Sequence, residues 1–282
     1  TYRRDRNLIS SYLMNQPASL NSYTLNNGVQ LVAFHPLILG TFQNRMEKMN
    51  FIVDLVVTRH LTTFTHSVMV SYLAEAIGKH ILAARPELLR IPSSYLTGNI
   101  YASPAEVLDY IVPAALFHDI GKNGMIPIIN TQHRKLNDYE FNIIQTHPQK
   151  GSDYLSSDPD FLIYQPVALG HHRSYDGTRG YPLSFDNTAS PYRDAIDLIH
   201  ICDCLDAATD YLSRNYHRAK PFDVVLNELK AGRGTEYNPD MVDVILSDRE
   251  LYNDLKMLTE QNRENIYYDI YLTFVNLRKK RQ

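Results

Sequence analysis

The sequence predicts a mostly α-helical protein, and three patterns support this fold class. Apolar residues recur at helical spacing over residues 46–81 and again over residues 194–211. The tetrapeptide Ser103-Pro104-Ala105-Glu106 combines an N-cap serine, proline at the first helical position and glutamate at the third. Because these signals are spread along the chain, we expect a helical bundle over most of its 282 residues.

The two ends of the chain differ in pattern. Residues 1–50 contain an Asn-Asn-Gly turn followed by the apolar run 31–34, which predicts a turn and a strand. We therefore expect a small N-terminal α/β or irregular segment. From residue 246 onward helical periodicity returns and predicts a C-terminal helical extension.

Two signals define helices in the middle of the chain. The helix that begins after Ser103 contains Pro113, which should kink it or divide it in two. Asn137, with Glu140 three residues later, predicts a further helix start of the capping-box type.

Composition and charge exclude several classes of protein. The net charge is −3, so no overall basic surface is available for a DNA or RNA duplex. No apolar run approaches the roughly 20 residues that a membrane-spanning helix needs. Cys202 and Cys204 lie two residues apart in a helical pattern, which disfavours a disulfide between them and fits a cytoplasmic protein.

Two short segments concentrate the ligands that first-row transition metals prefer. His118-Asp119 ends an apolar helical pattern, and His171-His172 precedes a turn rich in glycine and proline. Imidazole nitrogens and carboxylate oxygens suit such metals, and a centre built from them could activate water for hydrolysis. Single histidines are more often hydrogen-bonded structural residues, and we assign that role to His35, His60, His80, His133, His200 and His217.

These segments belong to a longer series of motifs. The series runs from His118-Asp119-Ile120-Gly121-Lys122 through His147-Pro148, His171-His172 and Gly180-Tyr181-Pro182 to Asp203 and Asp206. In order and spacing it resembles the HD-GYP family of HD-domain metal-dependent phosphohydrolases, bacterial phosphodiesterases that degrade cyclic di-GMP. The resemblance implies an HD-domain helical bundle. The resemblance covers residues 51–245, which we expect to form the catalytic domain. Outside it we expect an N-terminal segment at 1–50 that belongs to an input region and a C-terminal helical extension at 246–282.

The resemblance also implies two metal ions that share one carboxylate. One ion would be held by His66, His118, Asp119 and Asp203, and the other by Asp119, His147, His171 and His172. Iron or manganese fits such a donor set, with zinc, nickel or magnesium as alternatives. Asp119 and Lys122 would be catalytic, with Lys122 contacting the scissile phosphate. Further substrate contacts would come from Asp206, Arg214, Arg218 (or His217), Gly180, Tyr181 and Arg173.

The chain departs from the family pattern mainly around the substrate. Thr62 stands where some members carry a glutamate that recruits a third metal, so we expect two ions. Arg173 replaces a glutamate, and Arg179 is an extra residue, which should make the rim more basic.

Three functions remain open on this basis. The first is hydrolysis of cyclic di-GMP to pGpG and onward to GMP. The second is hydrolysis of another cyclic dinucleotide such as cyclic GMP-AMP, and the third is a non-catalytic cyclic-dinucleotide-binding signalling module. A homodimer or a regulatory protein partner is a further expectation.

Overall fold

The structure, a computed structural model, describes residue 39 and residues 41–93, 101–125, 136–212 and 218–280. The predicted N-terminal strand, Arg214 and His217 lie outside these ranges. Within them the chain forms helices and turns, with isolated β-bridges but no β-strand. The predicted mostly helical fold is confirmed.

Eleven α-helices lie in the described ranges and are numbered in chain order. They are α1 (Arg45–Arg59), α2 (Leu61–Ala84), α3 (Pro104–Phe117), α4 (Asp138–Ile144), α5 (His147–Ser156), α6 (Gln165–Gly170), α7 (Arg193–Thr209), α8 (Phe222–Ala231), α9 (Pro239–Ser247), α10 (Arg249–Lys256) and α11 (Arg263–Lys280). Short 3₁₀ turns lie at Pro86–Leu88, Ile120–Gly124, Leu162–Tyr164 and Asn187–Ala189, and a π-turn at Met257–Gln261 precedes α11. No described helix is both long enough and apolar enough to cross a bilayer.

Helix α2 lies at the centre of the bundle. It packs against α1, α3, α7 and α10, and every residue from 63 to 71 is buried. Because neighbours cover it on several sides, α2 can present a polar side chain such as His66 to the interior. One apolar core extends from Leu39 to Ile270, so helices after residue 245 pack on it as well. The proposed division at residues 50 and 245 stays a prediction.

The two capping signals that define helix starts are present. Ser103 and Asn137 each form a capping box with the glutamate three residues later. Pro113 lies inside an undivided α3, so of the two expected effects the division was wrong, and the kink stays a prediction. Ile111, Ala114 and Ala115 are buried on either side of the proline, and this packing holds the helix together although one backbone hydrogen bond is lost.

Candidate metal centre

Three of the predicted ligand histidines lie at helix ends. His118 follows the last residue of α3, His147 begins α5, and His171 follows the last residue of α6. In each case Nδ1 donates to a backbone carbonyl three residues earlier, at Ala115, Ile144 and Ala168, over 2.6, 2.7 and 2.9 Å respectively. With Nδ1 as the donor, Nε2 carries the lone pair that a metal ion needs. The backbone therefore fixes both the ring orientation and the tautomer.

Asp119 lies between two groups of these rings. Its Oδ1 is 3.1 Å from Nε2 of His147 and 3.7 Å from Nε2 of His171. Its Oδ2 is 3.5 Å from Nε2 of His118 and 3.6 Å from Nε2 of His66. One carboxylate thus faces each group with a different oxygen, which is the arrangement of a bridging ligand.

The seven predicted ligands form two clusters. One contains Asp119, His147, His171 and His172, and the other contains His66, His118 and Asp203; within each cluster the ligand atoms lie within 4.8 Å of one another. Asp203 projects from α7 and places Oδ1 3.0 Å from His66 Nε2. The structure therefore brings together the seven residues that the resemblance implied, with Asp119 grouped in the first cluster and its Oδ2 facing His66 and His118 of the second.

The donor atoms fit divalent cations. Nε2 of His118 and Oδ1 of Asp119 are buried and have no hydrogen-bond partner among the described residues. Orphaned buried polar atoms are costly, so one in each cluster indicates a bound group that supplies positive charge. Nitrogen-rich sets with carboxylates suit first-row transition metals.

The protonation states of most ligands favour cation binding. Burial lowers the pKa of His118, His171 and His172, so these rings are neutral at pH 7. Burial alone would raise the pKa of Asp119, but Lys122 and the neighbouring imidazoles hold it well below its usual range.

His66 is the exception among these histidines. Burial would lower its pKa, but hydrogen bonds to Asp203 and Asp206 outweigh burial and raise it to about 9. A cation bound to Nε2 would take the place of that proton.

Gly121 permits the close approach of the Asp119 turn and helix α5. A Cβ at position 121 would lie 1.9 Å from the carbonyl oxygen of His147 and 2.6 Å from the nitrogen of Gly151. Any side chain there would push α5 away and separate His147 from Asp119. The glycine of the first motif is therefore required by packing.

The motifs of the two clusters lie within the match to a known protein family. The family model described as HD domain matches residues 63–215, just over half of the chain. The chain belongs to the HD domain family. The matched residues include all seven residues of the two clusters, and the HD-GYP-like assignment made from the motifs is confirmed at this level.

Curated relatives of this HD domain were found in several bacteria. A Vibrio cholerae protein named cyclic di-GMP phosphodiesterase is 26% identical over 210 residues, covering 71% of this chain and 41% of that protein. The cyclic di-GMP phosphodiesterase response regulator RpfG of Xanthomonas campestris is 33% identical over 146 residues, covering 51% of this chain and 37% of that protein. The 3′3′-cGAMP-specific phosphodiesterase 2 of Vibrio cholerae is 25% identical, covering 71% of this chain and 37% of that protein. The chain thus spans about two fifths of the length of these relatives.

Lys122 and two aromatic residues, Tyr181 and Phe141, lie next to the cluster that contains Asp119 and His172. Lys122 Nζ donates to Asp119 Oδ2 over 2.5 Å, and the lysine side chain is partly exposed. The Tyr181 ring lies 4.5 Å from the His172 ring, centroid to centroid. Phe141, nearly half exposed on α4, makes an edge contact with Tyr181 at 6.4 Å. A cation and two accessible rings therefore border the ligand cluster.

Gly180 is needed for the turn that presents Tyr181. Its φ of +85° lies in the left-handed region, and a Cβ there would lie 1.8 Å from the carbonyl oxygen of His172. The predicted influence of Gly180 on the pocket thus acts through the backbone.

Arg173 does not have the position expected of a substrate-rim residue. It is only 4% exposed, and its guanidinium donates to the carbonyls of Gly177, Arg179 (2.8 Å) and Gly180 (3.5 Å). The expectation of a more basic rim at this residue was wrong, because the loop folds back over the side chain and uses its donors. Arg179 is exposed instead and lies 3.4 Å from Glu236.

Asp206 also differs from its predicted role. Its carboxylate is fully buried, with Oδ2 2.6 Å from His66 Nδ1 and Oδ1 2.7 Å from Arg263 Nη1. These contacts place Asp206 behind a ligand histidine, and its predicted substrate contact does not fit this position. Arg218 is exposed, and its substrate contact stays a prediction.

Sequence reasoning missed two supports of the centre. Nδ1 of buried His200 donates to the carbonyl of His171 over 2.6 Å, and its Nε2 lies 3.2 Å from Glu236. Burial would lower the pKa of His200, but these two contacts outweigh it and raise the pKa. His200 is hydrogen-bonded and structural, as predicted. The two missed residues are Glu236, which contacts His200, and Arg263, which contacts Asp206. Glu236 carries no sequence signal, and Arg263 lies outside every motif.

Proposed function

We propose that this chain is a metal-dependent phosphodiesterase that opens cyclic di-GMP to pGpG and then cleaves pGpG to GMP. The observation that carries the proposal is the Asp119 carboxylate, which faces a separate imidazole cluster with each oxygen. Relatives that carry the name cyclic di-GMP phosphodiesterase support the substrate class.

Two divalent ions bound by the clusters would supply Lewis-acid activation of water and of phosphate oxygens for in-line displacement. We propose iron or manganese, because five imidazoles and two carboxylates form a nitrogen-rich set. The ligands would be those of the two clusters, with Asp119 common to both.

The protein's own side chains would orient the substrate. Lys122 is partly exposed beside Asp119, so its ammonium group can turn toward an incoming phosphate and offset charge that develops there. Tyr181 and Phe141 offer ring faces next to the cluster, on which a purine base could stack. Phosphate would thus lie over the ligands while a base lies at the aromatic rim.

Product analysis tests this function directly. Protein loaded with Fe²⁺ without oxygen, or with Mn²⁺, would be incubated with cyclic di-GMP, and products would be separated by chromatography. We expect pGpG first and GMP later, and neither product from Asp119→Asn protein. Absence of turnover by protein that contains two ions per chain would refute the proposal.

A second candidate substrate is cyclic GMP-AMP. A similar fraction of the chain matches a relative named as specific for 3′3′-cGAMP, and the exposed Arg179 changes the loop beside Tyr181. Turnover of the two dinucleotides in direct competition would decide between them. The cytoplasmic location and the homodimer or regulatory partner stay predictions.

A further inference from the structure

A buried arginine of the C-terminal helix reaches the back of the metal centre. Arg263, the first residue of α11, is fully buried, and its Nη1 donates to Asp206 Oδ1 over 2.7 Å. The other oxygen of Asp206 is 2.6 Å from Nδ1 of His66. Asp206 thus connects a helix outside the matched HD region to a ligand inside it.

Several further contacts fix the Arg263 guanidinium. Its Nε donates to the carbonyl of Thr259 over 3.1 Å, and its Nη2 donates to the hydroxyl of Thr209 over 2.8 Å. Nη1 also lies 3.4 Å from the hydroxyl of Tyr267. Since the π-turn, α7 and α11 all hold this planar group, it can face Asp206 in only one orientation.

His66 depends on Asp206 for its orientation. It lies inside α2, so its Nδ1 has no free helix-end carbonyl to bond, unlike Nδ1 of His118, His147 and His171. Asp206 takes that role, and the resulting ring orientation places Nε2 3.0 Å from Asp203 and 3.6 Å from Asp119. Outer carboxylates that orient ligand histidines contribute strongly to metal affinity.

We propose that Arg263 is a positioning residue for the ion held by His66, His118 and Asp203, so that α11 belongs to the functional unit. Arg263 supplies the counter-charge that keeps the buried Asp206 carboxylate directed at His66. This inference rests on the proposed function only in that the two clusters bind metal ions.

Metal titration of variants tests the inference. The wild-type chain and its Asp206→Asn, Arg263→Gln and Arg263→Lys variants would be titrated with Mn²⁺ by calorimetry, with thermal melts in parallel. The double variant Asp206→Asn/Arg263→Gln removes both members of the Asp206–Arg263 ion pair, while buried Asp210, 3.7 Å from Arg263 Nη1, keeps its charge. We expect the wild type to bind two ions, and each variant to bind one of them about 10- to 100-fold more weakly. Arg263→Lys should retain more affinity for Mn²⁺ than Arg263→Gln, because lysine keeps the positive charge although it lacks the planar set of guanidinium donors.

Asp248→Asn provides the matched control. Asp248 is 2.7 Å from Nδ1 of His80, so it also joins α2 to the C-terminal region, but His80 is outside both clusters. Asparagine preserves the N-cap of α10. We expect both ions to bind Asp248→Asn with wild-type affinity.

The outcomes separate this inference from the proposed function. Wild-type affinity for both ions in the Asp206 and Arg263 variants would overturn the positioning role of Arg263. An equal loss of affinity at both sites would also overturn it if Asp248→Asn showed the same loss. Wild type that binds no Mn²⁺ would overturn both proposals. Wild type that binds two ions without hydrolysing a cyclic dinucleotide would refute the proposed function alone.

Discussion

Replacing Arg173 should destabilise the protein rather than only weaken substrate binding. Its guanidinium makes two close hydrogen bonds, to the carbonyls of Gly177 and Arg179, and a longer one to Gly180. Hydrogen bonds to charged groups contribute about 1.5–3 kcal/mol each, so losing the two close ones in Arg173→Met should cost about 3–6 kcal/mol. At about 2–4 °C per kcal/mol for a chain of this size, the melting temperature should fall by at least about 6 °C.

The assay combines a melt with kinetics. Arg173→Met and the control Arg179→Met would be followed by circular dichroism, and kcat and KM for cyclic di-GMP would be measured at a temperature where both are folded. The Arg179 side chain is 60% exposed in a single ion pair, so its removal should change stability by about 0–1 kcal/mol. Arg173→Met should also lose kcat, because its loop carries Tyr181. An unchanged melting temperature with a raised KM would show that Arg173 contacts substrate and would refute the reasoning.

Three further predictions concern the centre, its rim and the core. Asp119→Asn should weaken binding of both Mn²⁺ ions by more than the roughly 10- to 100-fold typical of an outer partner, without loss of helical signal; calorimetry that shows one intact site would contradict a shared ligand. Phe141→Ala should raise KM for cyclic di-GMP roughly 5- to 150-fold, from about 1–3 kcal/mol of lost stacking, yet leave bis(p-nitrophenyl) phosphate hydrolysis unchanged. Equal effects on both substrates would argue against base stacking. Burial raises the pKa of Asp197 from 3.8 in the unfolded chain to about 7. The contribution of this carboxyl group to the free energy of unfolding is therefore complete below about pH 4 and is lost as the pH rises to 7. The advantage of Asp197→Asn in urea unfolding should therefore grow by up to about 1.4 kcal/mol per pH unit, and a pH-independent difference would contradict it.

Part of the candidate site was predictable because its signals are local, since His118-Asp119 and His171-His172 are adjacent pairs. His66 and Asp203 carry no such signal, and only the resemblance to the family related them to these pairs. Capping boxes at Ser103 and Asn137 were equally readable, since an N-cap and its partner lie three residues apart.

The roles of Arg173 and Asp206 depended on tertiary structure. Whether an arginine beside paired histidines faces substrate or its own loop is decided by how that loop closes, which no spacing encodes. Asp206 follows Asp203 by three residues on α7, but its partner Arg263 lies 57 residues away. Pairing over that distance follows from the packing of α11 and could not be inferred from a helical pattern.

The dependence of hydrolysis on bound metal tests the central claim most directly. Metal-free protein would be titrated with Mn²⁺ while bound ion and pGpG formation from cyclic di-GMP are measured in the same samples. We predict negligible product with up to one ion per chain, and a rate that rises as the second ion binds. Full activity without metal, or no product with two ions bound, would contradict the account.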